Sequence, residues 1–402
     1  MLGLLRRGTF RWMWAGQTVS MLGDGVHGVA LAWLVLTLTG SPITLGAVIV
    51  TGTLPRTALM LFGGALTDRL SARTLLLTSN LARCVLAALL AGLVLGGHLQ
   101  LWELFVIEFL FGSADGLFIP AISAVVPDLV DDANLVNANA LMGTSEQASM
   151  LAAPSAGGVL VALVGTWGAF FANAASFLVA AAGAFPARRA ARHHENHPHI
   201  GAAIAEGVNL IRSDKELRAV FSIAVVAALA GGSVFLIGIP MLARTRFGLG
   251  ATGLGLVLSA WGLGQLAGAL TAARTGLPRR WGYIIIAMSA ASALVYAVMG
   301  VTSSIWVVIA LLIPLGFGAA YSDDVARPVW IQRHSRPGMM GRIFSLLELP
   351  YHSIAPIGML VFGAIATKSL TIAFEGAAAI MLAAAVAYAV SHTARHLSME
   401  RS

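Results

Sequence analysis

The sequence predicts an all-α integral membrane protein: twelve transmembrane helices in two pseudo-symmetric halves of six. Three observations carry that prediction. Only 11% of the 402 residues are charged while 58% are hydrophobic, whereas a water-soluble domain carries about 25% charged residues. Twelve apolar segments follow one another, each with the ~20 residues a helix needs to cross the hydrocarbon of a bilayer. Residue patterns of the first half also return, in the same order, in the second.

The segments run at 11–38, 43–66, 74–96, 100–124, 137–164, 166–185, 218–243, 251–274, 281–300, 304–328, 340–366 and 370–392. The first has an apolar stretch from Trp12 to Leu38, too long for a signal-peptide core and bounded by no small-residue cleavage site, so it stays as a span. Between the second and third lies Gly64–Arg73, GALTDRLSAR, the short polar hinge that two membrane-crossing helices require at the membrane face. The one long loop, Pro186–Leu217, separates an N-terminal half (1–185) from a C-terminal half (218–402). In that linker (186–217), Ile200, Ile204, Val208 and Ile211 fall at helical spacing. They read either as an amphipathic helix on the membrane surface or as a solvated linker helix.

The net charge of +7 invites a nucleic-acid partner, but the placement of the charges argues against one. Twenty of the 25 Lys and Arg fall in alternate loops and the two tails; only Arg244, Arg246 and Lys368 fall in the opposite set. That asymmetry is the positive-inside pattern, and it puts both termini on the cytoplasmic side of a bacterial inner membrane. The lone cysteine, Cys84, lies in an apolar run, so no disulfide framework exists.

Duplication is legible in three places. Gly64-Ala65-Leu66-Thr67 recurs as Gly268-Ala269-Leu270-Thr271; Asp115 precedes Pro120 by five residues as Asp323 precedes Pro328; Glu146 precedes Pro154 by eight as Glu348 precedes Pro356. The offsets are 204, 208 and 202. Parallel six-span repeats are a known transporter design.

At these residues the chain resembles the major facilitator superfamily. GALTDRLSAR is similar to its signature loop G-x-L-x-D-R-x-G-R-[RK]: Gly64, Leu66, Asp68, Arg69 and Arg73 match, while Ser71 replaces a Gly and Ala72 a basic residue. Ala153-Pro154-Ser155-Ala156-Gly157-Gly158 resembles the fifth-span antiporter motif ending G-P-x-x-G-G, with Ala153 for its first Gly. Leu38–Pro42, Val126–Val130, Asn137–Leu141 and Gly341–Leu346 resemble the branch of twelve-span drug–proton antiporters that includes macrolide, tetracycline and siderophore exporters. The resemblance implies the fold of that superfamily, a central cavity lined by the first, fourth, seventh and tenth helices, and no cofactor beyond a proton gradient. It also implies a small-molecule substrate, a lipid bilayer as surroundings and a monomer.

The acids concentrate on the helices that would line or flank such a cavity. Asp24 lies in the first span, Glu108 and Asp115 in the fourth, Glu146 in the fifth, Asp323 and Asp324 in the tenth, and Glu348 in the eleventh. A charge at the bilayer centre costs about 2.5–3.5 kcal/mol on insertion scales. Only Arg56 and Arg83 are intramembrane bases, so most of these acids must reach water, pair with arginines at the cytoplasmic face, or take up a proton. Asp24 with His27 (i, i+3) and Glu348 with His352 (i, i+4) each share a helix face and, with Asp115, are the candidates for proton coupling. Gly64, Asp68, Arg69, Arg73, Glu146, Asp323, Asp324 and Arg342 are expected to gate the cytoplasmic side, where Arg69, Arg73, Arg327 or Arg342 would pair with Asp115, Glu146, Asp323 or Asp324. Pro154, Gly157 and Gly158 form the antiporter motif. Substrate contacts are expected from Gln17, Trp33, Phe235, Trp261, Gln265, Tyr321 and Tyr351; a lipid-facing belt is the bland alternative for the aromatic ones.

Other motifs fail. Gly262-x-Gly264-x-x-Ala267 lies inside an apolar helix with no preceding strand, so it is a packing face and not a dinucleotide loop. No Gly-Lys-Ser/Thr phosphate loop exists, which disfavours ATP-driven transport. The histidines at 193, 194, 197 and 199 sit in a polar loop and are not expected to hold a metal. The expected function is therefore proton-coupled export of amphipathic small molecules by alternating access. A dedicated exporter or importer of one metabolite, siderophore or lipid is the alternative. A lipid-modifying enzyme is the remote one, because such a site should gather its His, Ser and Asp at one interface.

Overall fold

The computed structural model describes residues 8–69, 71–185, 209, 211–275, 280–334, 343, 347, 349–351 and 353–398. Among them every regular element is helical. In chain order these are α1 (Gly8–Thr39), α2 (Pro42–Arg69), α3 (Ala72–Leu95), α4 (Leu101–Leu129) and α5 (Asp132–Ala184). There follow α6 (Lys215–Thr245), α7 (Gly250–Thr275), α8 (Trp281–Val301), α9 (Ile305–Ala319), α10 (Ala355–Lys368), α11 (Leu370–Val390) and a short α12 (His392–Arg395). The described residues form two compact units. One takes Met1–Leu34 with Ala47–Asn196, the other Val35–Gly46 with His197–Ser402.

Ten helices among the described residues are long and apolar enough to cross a membrane, against twelve expected spans. Two features account for the difference. Helix α4 is outside the ten, yet its 29 residues reach about 43 Å at 1.5 Å per residue, more than the hydrocarbon thickness. The stretch α5 holds 53 residues, which would be about 80 Å as one straight helix and too long for one crossing, but it is two helices joined at a kink. It breaks at Gly165 (φ 76°, ψ 176°), a conformation that only glycine adopts without strain. The fifth and sixth spans meet at that break.

Polarity is inverted relative to a soluble helix. On α3, Leu81, Val85 and Leu89 are exposed at i, i+4 and i+8, while Ser79, Asn80 and Arg83 are buried on the opposite face. Helix α11 likewise exposes Leu382, Val386 and Val390. An apolar outer stripe over a polar interior suits lipid as the solvent.

Close helix contacts rest on glycine at matching places in the two units. A Cβ at Gly112 of α4 would lie 1.9 Å from the Gly52 carbonyl oxygen of α2, and one at Gly316 of α9 would lie 2.5 Å from that of Trp261 in α7. Both pairs need backbones to touch, the packing mode that replaces hydrophobic driving force in a membrane. The hinge residue Ser71 caps α3: its hydroxyl accepts from the Thr74 amide at 3.2 Å. A serine in place of the signature glycine therefore serves as a helix N-cap.

In the second unit, Arg246 at the end of α6 donates to the carbonyls of Gly300 (2.7 Å) and Thr302 (3.3 Å) and to the Thr371 hydroxyl (2.8 Å). It neutralises the C-terminus of α8 and ties three helices together. Hydrogen bonds from a charged donor contribute about 1.5–3 kcal/mol. Arg246→Met is accordingly expected to lower stability by about 2 kcal/mol, read as a lower midpoint in thermal melting of the purified protein.

Three stretches depart from α geometry. Ala227–Gly231 and Val234–Gly238 within α6, and Ala320–Ala326 after α9, are π-helical; the chain then continues as helix over Arg327–His334. In the last, the Ser322 carbonyl accepts from the Arg327 amide and also from Trp281 Nε1 at 3.2 Å. Such wide turns recur at functional sites, and all three line the cavity described next.

Candidate transport sites

Within the first unit, α1 to α4 bring four charges together. Arg83 of α3 is 1% exposed. Its Nη1 donates to Asp115 Oδ1 of α4 at 2.8 Å and lies 3.6 Å from Asp24 Oδ2 of α1, and its Nη2 donates to Asn80 Oδ1 at 2.9 Å. The guanidinium sits over the rings of Phe118 and Phe177, 4.5 and 4.4 Å from their centroids. Arg56 of α2 places Nε 2.9 Å from the other Asp115 oxygen, an ion pair without hydrogen-bond alignment. Two guanidinium groups thus face two carboxylates, and the cluster is neutral overall when both acids are ionised. This corrects the expectation for Asp115: its partners are the two intramembrane arginines, not arginines of the cytoplasmic face.

His27 is one α-helical turn beyond Asp24, but its partner is Glu108 of α4, with Nε2 and Oε1 3.1 Å apart and both residues buried. The imidazole stacks on Phe111 (4.7 Å between centroids, 15°) and meets Phe170 edge-on at 5.1 Å. Sequence reasoning paired His27 with Asp24 and passed over Glu108. A signal was available: Glu108 and Asp115 are seven residues apart, so they share one face of α4, as Asp24 and His27 share one face of α1.

The antiporter-motif residues pack against this same helix. Ala153 sits against Gly25, and Gly157 against Val26 and Val29. Pro154 lies within α5 and Gly158 is buried. Gln17 is 0% exposed, with neither amide atom hydrogen-bonded among the described residues, so it lines no open surface. Arg73 donates to the Phe185 carbonyl and lies over the Phe185 ring, at the end of α5. Glu146 is exposed on α5. Gly64 lies within α2; the side chains of Asp68, Arg69 and Asp324, and Arg342, Glu348 and His352, lie outside the described residues, as do Ile200, Ile204 and Val208 of the linker.

The second unit holds a cavity of about 310 Å³. Phe235 from the π-helical part of α6 and Trp261 from α7 form one wall, their ring centroids 4.4 Å apart. Gln265, Ser289, Ser292, Tyr296, Tyr351 and Tyr388 add polar groups, and Met288 and Met381 add soft apolar ones. Asp323 and Arg327 supply one charge of each sign from the wide turn after α9, and Arg327 Nη1 donates to the Tyr351 hydroxyl at 3.3 Å. An apolar cavity with a few convergent polar groups is the form small-molecule sites take. Four of the seven expected substrate residues, Phe235, Trp261, Gln265 and Tyr351, converge here. Tyr321 does not; its ring stacks with Phe317 at 6.3 Å. Gln17 and Trp33 belong to the first unit and line no part of this cavity.

Comparison with known proteins agrees with this architecture. The family model described as transmembrane secretion effector, a major facilitator model, matches residues 1–400. An uncharacterized MFS-type transporter of Bacillus subtilis, YfiS, is 27% identical over 170 residues, 42% of this chain and 39% of that protein. The enterobactin exporter EntS of Citrobacter koseri is 26% identical over 354 residues, 84% of this chain and 80% of its own. Among solved structures, a variant of the nucleoside transporter NupG superposes with a TM-score of 0.72 at 12% identity, covering 95% of this chain and 99% of that one. That last likeness concerns the fold alone.

Proposed function

The chain belongs to the transmembrane secretion effector family of the major facilitator superfamily, and from that premise we propose that it is a proton-coupled exporter of amphipathic small molecules working by alternating access. Membership of a transporter family makes it a multi-pass membrane transporter and sets the lipid-modifying enzyme aside. The observation that carries the finer reading is the four-charge cluster of Asp24, Arg56, Arg83 and Asp115. Protonating either carboxylate would leave the cluster with a net positive charge in a medium of low dielectric. That charge is relieved when the guanidinium groups reach water or the helices rearrange, which links proton uptake to a change of conformation. The aromatic cavity of the second unit would take the substrate. Inward proton flow would then drive outward release from a cytoplasmic membrane, with both termini inside. The working parts would be halves 1–185 and 218–402 of a monomer, joined by 186–217, and Asp68 would help hold the cytoplasmic side shut.

The test is transport by purified protein in proteoliposomes under an imposed pH gradient, with ethidium as the probe. Wild type should follow the gradient and Asp24→Asn should lose about tenfold in gradient-driven rate, the effect of roughly 1.4 kcal/mol. Uptake indifferent both to the gradient and to Asp24→Asn would sink the coupling. A narrower second reading, export of one dedicated siderophore, is favoured by the relatives named as enterobactin exporters. A deletion strain with no altered drug sensitivity but a defect under iron limitation would favour it.

A further inference from the structure

We propose that the cavity of the second unit binds amphipathic zwitterions, compounds with an ammonium and an acidic group close together at one end and an aromatic body at the other. The proposal rests on the reading of this cavity as the substrate site and names its substrate class. Two residues carry it. Among the described residues that line the cavity, Asp323 and Arg327 are the charged ones, one of each sign and four positions apart. The π-helical turn sets them there: its wide hydrogen bond, from the Arg327 amide to the Ser322 carbonyl, spans Asp323. Positions four apart on a helix are about 5–6 Å from each other at Cβ. A ligand that meets both must therefore carry its two charges within a similar reach.

Each pole has a contact that fixes it. The Ser322 hydroxyl, which accepts from Trp281 Nε1 at 3.2 Å, donates to the Asp323 carboxylate and orients it. Arg327 Nη1 donates to the Tyr351 hydroxyl over 3.3 Å, longer than the usual range of about 2.7–3.2 Å. A ligand carboxylate at the guanidinium would make a shorter, charge-assisted contact, roughly twice as strong as one to a neutral acceptor. Charge balance then selects the class. Asp323 and Arg327 together sum to zero, and a net charge is costly in the low dielectric of a membrane interior. A cation would leave the occupied cavity net positive, and an anion would leave it net negative. A zwitterion keeps it neutral and meets both poles, while Phe235 and Trp261 cover its aromatic body.

Three fluorescent compounds that differ by one charged group each test this by titration of the purified full-length protein at neutral pH. Nε-dansyl-lysine is the zwitterion, dansylcadaverine lacks its carboxylate, and dansyl-aminohexanoate lacks its ammonium. Wild type should bind dansyl-lysine about tenfold tighter than either of the others. Arg327→Gln should abolish its advantage over dansylcadaverine, and Asp323→Asn its advantage over dansyl-aminohexanoate. Wild type that binds dansyl-lysine no tighter than dansylcadaverine overturns the proposal, whether or not the variants fold. Variants that weaken all three compounds equally would mean that the two charges only hold the turn, and would also overturn it. Phe235→Leu/Trp261→Leu separates the proposal from the reading beneath it. If that variant loses affinity for all three compounds while wild type shows no preference for the zwitterion, the cavity is the substrate site and the substrate class alone is wrong. If it binds all three as wild type does, the site lies elsewhere and both fall. Binding at equilibrium needs no gradient, so the outcome does not depend on proton coupling.

Discussion

Replacing Arg83 with methionine is expected to lower stability by about 2–3 kcal/mol, the cost of losing hydrogen bonds from a buried charged donor. Methionine fits the apolar part of the site, so the loss comes from the charge. Asp115 would keep only Arg56, Asp24 would keep none of the 3.6 Å contact, and Asn80 would lose a donor. Arg83→Lys should not rescue it. One ammonium cannot bridge Asp115 and Asn80 while lying flat between Phe118 and Phe177 as the planar guanidinium does. The double variant Arg83→Met/Asp24→Asn should recover part of the loss, because it removes the carboxylate that loses its arginine contact. Thermal melting of the detergent-purified protein measures all three. An Arg83→Met protein that melts with wild type would mean the cluster is solvated and carries no stored charge.

Much of this molecule was legible in the sequence because lipid makes hydropathy a simple signal. The spans and the internal repeat follow from runs and offsets that need no tertiary information; the hinge expected over Gly64–Arg73 is shorter than that, because α2 runs on to Arg69 and α3 starts at Ala72. Partner choice was not legible in the same way. Spacing along one helix says that Asp24 and His27 share a face, but not that the first meets Arg83 of α3 and the second Glu108, 81 residues away. Counting seven inner-helix acids against two arginines led to the view that most acids lacked a basic neighbour at their own depth. The structure spends both arginines on one spot, so Asp24 and Asp115 do have one. The wide turns in α6 and after α9 were invisible for a related reason. Their residues suit an ordinary helix, and the altered register is tied to long-range contacts such as Trp281 on Ser322.

The repeat also gives the cavity a meaning. Offsets of 202 to 208 carry Asp24 onto 226–232, Arg83 onto 285–291, Asp115 onto 317–323 and Phe177 onto 379–385. Each of those windows contributes to the cavity wall of the second unit: Ala227 and Gly231, Met288 and Ser289, Asp323, and Met381. By this correspondence the second half is hollow where the first half is filled by an arginine and its ring partners, and it has kept only the carboxylate. A compound bound there would take the place that the Arg83 side chain occupies in the first half, between aromatic faces and close to an acid. The double variant Phe235→Leu/Trp261→Leu, which keeps apolar bulk but removes both faces, is therefore expected to lose about a hundredfold in ethidium affinity. That is roughly 2.7 kcal/mol, from two aromatic contacts at about 0.5–2 kcal/mol each with a cationic ring. Fluorescence titration of the purified protein reads the affinity, and melting confirms that the variant is folded. A folded double variant that binds ethidium as wild type does would move the substrate site out of this cavity.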